Sequence, residues 1–268
     1  MLPLSIGGAS MSASDSLSAA GHAGEERAPA GSFDVWYRPK VDLKRKCLAG
    51  AEAFAHPANV ADAEHAEQAL LSMMRDWAAF AEAGFNLHFA CAVTAEALLR
   101  LPIAQFVRDN RPKTKDWPGL TLQIAEEQIV REVDRTQAVA IELSAIGVKI
   151  GIDTFGASFS SFASLRKIPF AEIKIDPMFV KNCAVDVSNA AICQTAIDLA
   201  HRFSSTAVAD GIETMQDLQG LIAMGCDVGQ GALIGAPLPR TQFLELLQRR
   251  LNKRPAQPQA PEPTGQVA

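Results

Sequence analysis

From residue 33 onward, short apolar runs alternate with longer stretches in which apolar positions recur every three or four residues. The first pattern is that of a buried strand and the second that of an amphipathic helix. "FDVWYRPKV" and "CLAGAEAFA" read as two strands joined by the short polar turn "DLKRK". "AEHAEQALLSMMRDWAAFAEAG" reads as a helix stopped by Gly84, because glycine suits the left-handed position past a helix end. "NLHFACAV" predicts a strand and "TAEALLRLPIAQFVRDN" a helix capped by Thr94. "GLTLQIA" predicts a strand, and "EEQIVREVDRTQAVAIELSAIG" a helix closed by Gly147. The strands "VKIGID", "FAEIKID", "STAVAD" and "CDVGQ" follow, with the helices "NAAICQTAIDLAHRF", "TMQDLQGLIAMG" and "RTQFLELLQRRL" among and after them.

That order gives eight strand candidates, most of them followed by a helix. Repeated βα alternation predicts a parallel sheet, closed or doubly wound, and eight strands favour a TIM-type (β/α)8-like barrel. A turn as short as "DLKRK" cannot make a parallel crossover, so one antiparallel strand is expected at the start. The folded domain is expected over 33–252. Residues 1–32 are rich in Ala, Gly and Ser and contain no Phe, Tyr or Trp, and residues 253–268 are rich in Pro and Gln. Such segments bury too little surface to offset their ordering entropy, so both are expected to be disordered.

Composition narrows the functional classes. The 268 residues carry a net charge of −5 and are 48% apolar. An acidic balance argues against broad binding to nucleic acid or an anionic membrane, while a small phosphate ligand stays open. Cys47, Cys91, Cys183, Cys193 and Cys226 form no CxxC pair, which leaves buried thiols in a reducing compartment as the expectation. No run of about 18 apolar residues predicts a membrane span, and the N-terminus lacks the layout of a signal peptide. A cytoplasmic setting is expected.

In barrels of this type chemistry gathers at the C-terminal ends of the strands. Those ends carry Glu52, Ala92, Gln123 with Glu126, Asp153, Lys174 with Asp176, Asp210 with Glu213, and Gln230. Singly, each polar residue is more often a cap or a packing group than a catalyst. Asp176 precedes Pro177 and suits a turn cap; Glu213 suits the first turn of a helix. Lys174 lies in an apolar strand and must be paired if buried, with Asp153 or Asp176 as candidates. His56, His65 and His88 have no metal-binding spacing and read as surface or packing residues. "GQGALIG" lacks the strand–GxGxxG–helix context of a dinucleotide site.

The motifs "YRPKVDL", "GAEAF", "LQIAEE", "IDTFGASFSS", "EIKIDPMFV", "VADGIET" and "GCDVGQGALIGAPLP" resemble, in order, those of the EAL domain, the cyclic di-GMP phosphodiesterase family of bacterial signal transduction. The resemblance covers about residues 33–248. It implies a barrel with one antiparallel strand, and against the family pattern the stretch between "GAEAF" and the next helix is shorter than usual, an early loop and helix being missing. Members hydrolyse one phosphodiester with two divalent metals, which clamp the attacking and leaving oxygens and need hard oxygen ligands.

The resemblance implies metal ligands at Glu52, at an Asn position filled by Ala92, at a Glu position filled by Gln123, and at paired Asp positions filled by Asp153 and Thr154. It implies catalytic roles for Lys174 and for the seventh-strand Glu, here Asp210. Arg38 and Gln230 fall at ligand-binding positions, and Glu126 and Glu213 at positions that support the site loop. An Arg that helps hold the nucleotide in many members falls at His56. Ala92, Gln123 and Thr154 supply no anionic oxygen, so a degenerate member is expected in which Glu52, Asp153, Lys174 and Asp210 are vestigial. No cofactor is expected, and Mg²⁺ or Mn²⁺ only with residual activity. Three functions stay open: a module that binds a protein partner, a metal-independent cyclic di-GMP receptor, and a residual phosphodiesterase. Two surfaces suit a partner: the loop bearing Phe159 and Phe162 beside Arg166 and Lys167, and the face beside the shortened segment.

Overall fold

A computed structural model describes residues 34–56, 63–157 and 165–252. The N-terminal 32 residues, the tail from 253, the shortened segment after "GAEAF" and the phenylalanines at 159 and 162 lie outside the described residues. The strands are β1 (Asp34–Asp42), β2 (Cys47–His56), β3 (Phe89–Ala92), β4 (Leu120–Ala125), β5 (Val148–Phe155), β6 (Phe170–Ile175), β7 (Thr206–Ala209), β8 (Val228–Gly229) and β9 (Leu238–Pro239). Strands β2 to β8 pair in sequence order, each parallel to the next. Strand β1 pairs antiparallel with both β2 and β8 and closes the sheet. The result is the expected eight-stranded barrel with one antiparallel strand. Strand β9 adds a short pair to β1 at Trp36 and Tyr37.

The β1–β2 hairpin follows from its turn. Asp42 accepts a hydrogen bond from the Arg45 amide at 2.7 Å, and Lys46 takes a left-handed φ of 54°. A two-strand antiparallel entry leaves no crossover helix to cover β1. Helix α1 (Ala63–Glu82) and the C-terminal helix, Arg240–Asn252, supply that cover. Tyr37 of β1 packs at ring-centroid distances of 5.4, 5.0 and 5.9 Å from Phe80, Phe89 and Phe243, and its hydroxyl donates to Asp76 at 2.6 Å. The phenol is thereby satisfied inside an otherwise apolar layer.

Two expected helices are each divided. The stretch 94–110 forms α2 (Ala95–Arg100), capped by the Thr94 hydroxyl, and α3 (Ile103–Asn110). Pro102 has no N–H to donate and pushes the preceding residue out of the helical region; Leu101 is extended, with ψ 147°. The stretch 126–147 forms α4 (Glu126–Arg131) and α5 (Val133–Ser144), broken at Glu132. No Gly or Pro marks that second break. It lets Ile129 and Leu143, one on each helix, both be fully buried. The helices α6 (Pro177–Val180), α7 (Val187–Arg202), α8 (Met215–Ala223) and α9 (Arg240–Asn252) complete the described elements. Short helix α6 follows from Asp176, whose carboxylate accepts the Met178 amide at 2.8 Å; strand β9 carries no comparable sequence signal. All five cysteines are free and buried.

Candidate functional site at the barrel mouth

Alternation along the strands stacks the inward side chains in layers. Lys174 and Glu172 on β6, and Gln123 and Thr121 on β4, are successive inward positions. Strand β1 runs the other way, so Arg38 reaches the level of Lys174 while Lys40 reaches that of Glu172. The β1–β2 register places Arg38 directly opposite Glu52. Asp210 follows β7, and Gln230 follows β8.

The upper layer centres on Glu52, which is 2% exposed. One of its oxygens is 2.7 Å from Lys174 Nζ and the other 2.7 Å from Arg38 Nη2; the second also accepts from Gln230 Nε2. Lys174 further lies 3.1 Å from Asp153 and 3.8 Å from Asp210. Arg38 approaches Asp210 to 2.8 Å and stacks over Phe54, 5.0 Å from the ring centroid. Sequence reasoning left Asp153 and Asp176 as candidate partners of Lys174. Asp153 is one of three, Glu52 is closer, and Asp176 is occupied with its helix cap.

Burial alone would push the Glu52 carboxyl up and the Lys174 amine down. Lys174 and Arg38 outweigh it at Glu52 and hold the carboxyl at about 2. Glu52, Asp153 and Asp210 outweigh it at Lys174 and raise the amine above its ordinary value. Glu52 is thus ionised and Lys174 protonated across the neutral range, so neither is poised as a general base there. Asp153 differs: burial is the stronger influence, and its pKa is raised despite Lys174.

The lower layer is a buried pair, Lys40–Glu172, at 2.7 Å. Gln123 joins the layers: its amide nitrogen donates to Glu172, and its amide oxygen accepts from Lys174 at 3.3 Å. Gly151 makes room for them, since a Cβ there would lie 2.8 Å from Glu172 Cγ and 3.3 Å from Gln123 Cγ. Below it, His88 meets the Thr121 hydroxyl at 2.9 Å, and burial followed by Lys40 depresses its pKa to about 4. Lys40 and Glu172 were not singled out from the sequence. The two-residue spacing in "RPKVD" and "EIKID", which sets each inward beneath a site residue, is the signal that finds them.

Ala92 ends β3 at the rim, exposed, with only a methyl group to offer. Thr154 holds a left-handed φ of 51°; its hydroxyl donates to the Asp153 carbonyl at 2.8 Å. A β-branched residue is strained there, whereas Asn and Asp tolerate the region. Thr154→Asn is expected to raise stability by about 0.5–1 kcal/mol, read as a higher urea midpoint with unchanged slope; a lower midpoint would show that the hydroxyl contact outweighs the strain. Glu126 is buried and accepts the Gly156 amide at 3.1 Å, which ties it to the loop after β5. Glu213 is exposed and faces Lys181 at 3.8 Å. The His56 and His65 side chains lie outside the described set. Among the described residues, no three or more His, Cys, Asp or Glu side chains are grouped to hold a metal ion.

Residues 25–237 match the EAL domain family. The cyclic di-GMP phosphodiesterase PA2567 of Pseudomonas aeruginosa is 29% identical over 236 residues, covering 81% of this chain and 40% of that protein. The bifunctional diguanylate cyclase/cyclic di-GMP phosphodiesterase MucR of the same organism is 37% identical over 125 residues, 47% of this chain and 18% of that protein. The chain therefore spans less than half the length of these relatives. The structure of the PaMucR phosphodiesterase in complex with cyclic di-GMP superposes with a TM-score of 0.72 and 28% identity, covering 79% of this chain and 94% of that one. The EAL domain of Mycobacterium smegmatis DcpA has the same fold, with a TM-score of 0.70, 24% identity and coverage of 81% and 98%. Barrel topology, motif order and family match converge: this chain belongs to the EAL domain family.

Proposed function

We propose that this chain is a non-catalytic EAL domain that acts in cyclic di-GMP-related signalling by binding a protein partner. The carrying observation is the state of Glu52: both oxygens are taken by Lys174, Arg38 and Gln230. Of the other positions expected to bind metal, Asp153 keeps a carboxylate, which lies 3.1 Å from Lys174, and the remaining three do not compensate. Ala92 has no ligand atom, the Gln123 amide is committed to Lys174 and Glu172, and the Thr154 hydroxyl is turned to a carbonyl. This donor set does not fit a pair of divalent cations, which require several hard anionic oxygens. What remains is a folded barrel with an apolar surface near its mouth. Met178, Val185, Val187 and Met215 are 60, 65, 84 and 41% exposed on adjoining elements, where Ala184 packs on Gly220 and its amide donates to Asp217 at 3.2 Å. Exposed apolar groups gathered in this way suit a protein interface.

No hydrolysis of cyclic di-GMP is expected in Mg²⁺ or Mn²⁺. Linear product formed in proportion to protein, and abolished by Glu52→Ala, would sink the non-catalytic reading. The partner arm is tested by co-purification with the full chain in chelator. A stoichiometric complex weakened by Val185→Asp/Val187→Asp supports it, and a complex that needs divalent metal contradicts it.

A second reading, a metal-independent cyclic di-GMP receptor, is favoured by one observation. Arg38 Nε and Gln230 Oε1 are buried at the mouth without hydrogen-bond partners, and such groups gain from a polar ligand. Calorimetry with cyclic di-GMP separates the readings: saturable heat that does not change when Mg²⁺ is withdrawn supports the receptor.

A further inference from the structure

The opposite end of the barrel carries a second concave site. Residues 111–119, "RPKTKDWPG", lead into β4, and Ile146 and Gly147 lead into β5. Both segments therefore lie at the N-terminal ends of their strands, away from Glu52 and Lys174. Between them is a cavity of about 450 Å³ lined by Arg111, Lys113, Lys115, Trp117 and the backbone at Gly147. That size lies in the range of small-ligand sites, roughly 300–1,000 Å³.

The walls are fixed from several directions. Arg111 donates to the Ile146 carbonyl at 3.0 Å and sits 5.9 Å from the Trp117 ring centroid. Asn86 donates to the Asp116 carbonyl at 2.8 Å. Gly119, with φ of 79°, brings the two segments together so closely that a Cβ would stand 1.9 Å from the Gly147 carbonyl oxygen. Gly147 itself leaves the indole uncrowded; a Cβ there would only reach ordinary contact, at 4.0 Å.

The charge here runs against that of the chain. Three cations and one acid, Asp116, fall within nine residues of a protein with net charge −5. Lys113 and Lys115 are exposed, and among the described residues neither has an acidic partner. Three cations beside a single acid leave a local excess of positive charge, and a bound anion relieves that repulsion. Arg111 and the two lysines suit a phosphate, by fork and by point charge respectively. Trp117 offers a stacking face for a planar ring.

We propose that this cavity binds a small nucleotide, with its phosphate against Arg111, Lys113 and Lys115 and its base against Trp117. The site is independent of the barrel mouth and of whether the mouth is catalytic.

Titration calorimetry of the full chain with GMP at low salt tests it. Saturable binding to one site is expected, with guanosine and inorganic phosphate each weaker by about tenfold or more, because each offers only one of the two recognition elements. Lys113→Glu/Lys115→Glu should weaken GMP by at least about tenfold by reversing the local field. Trp117→Leu should bring GMP down to the affinity of inorganic phosphate. Thermal melts of both variants serve as the folding control. No saturable heat with GMP, inorganic phosphate binding as tightly as GMP, or GMP binding that survives the charge reversal in a folded protein would overturn the proposal.

Discussion

Substituting Lys174 with Met is expected to cost about 3–5 kcal/mol, because breaking a buried ion network leaves its remaining charges uncompensated. For a domain of this size that lowers the thermal midpoint by about 6–20 °C. Lys174 stands within 4 Å of Glu52, Asp153 and Asp210; without it, three carboxylates share a mouth in which Arg38 is the remaining cation contacting Glu52 and Asp210. Adding Glu52→Gln to Lys174→Met should recover part of the loss. An unchanged midpoint in the single variant would show that the cluster is hydrated in solution and contributes little.

The pH dependence follows from the directions of the shifts. The folded pKa of Glu52 is depressed from 4.5 to about 2, so its contribution is present above pH 4.5 and is lost as pH falls towards 2. That of Lys174 is raised from 10.5, so its contribution is present below that value and is lost as pH rises through the folded pKa. The pair therefore adds a level contribution between these limits. Asp153 is the reverse case among the acids. Its pKa is raised from 3.8, so its ionised form is disfavoured by folding and its contribution fades as pH rises through the folded pKa. Asp153→Asn should change stability at neutral pH by less than about 1 kcal/mol, since an amide oxygen can still accept the Thr154 amide, now at 2.7 Å. Melts of the two single variants at pH 7 make the contrast: a large loss at 174 and a small change at 153.

Gln123→Glu is expected to cost about 2–4 kcal/mol at neutral pH, since two carboxylates in contact cannot both ionise cheaply away from water. The amide nitrogen of Gln123 donates to Glu172, and an oxygen in its place turns that hydrogen bond into a repulsion. The loss should shrink near pH 5, where one of the two carboxyls takes up a proton. Glu172→Gln in the same chain should cost less than the sum of the single changes, because residues in one network couple. Urea midpoints of the four proteins in this cycle, at pH 7 and pH 5, provide the measurement; strictly additive values would mean that the two side chains separate when the charge is introduced. The interior pair below the site thus bears on its chemistry. On the proposed non-catalytic reading, placing Asn, Glu and Asp at Ala92, Gln123 and Thr154 would meet the Lys40–Glu172 pair as an obstacle, and the variant most suited to test for metal binding includes Glu172→Gln.

The sequence by itself determined the barrel and the position of its one antiparallel strand. Both follow from local physics: the periods of apolar residues separate strands from helices, and "DLKRK" is too short for a crossover. Strand order alone brings Glu52, Asp153, Lys174, Asp210 and Gln230 to one mouth, because the parallel strands of a barrel all finish at the same end. The helix breaks were legible where a residue changes the backbone itself, as at Pro102, and not at Glu132, where only the burial of Ile129 and Leu143 on separate helices requires a bend. Tertiary structure alone decided who pairs with whom. It gave Glu52, rather than Asp153, the closest contact to Lys174, kept Asp176 for a helix cap, and set Glu213 beside Lys181. It also joined Lys40 of the first strand to Glu172 of the sixth through the barrel interior. Those contacts span up to 132 positions along the chain; local periodicity carries no information about distance at that range, which closure of the barrel alone sets.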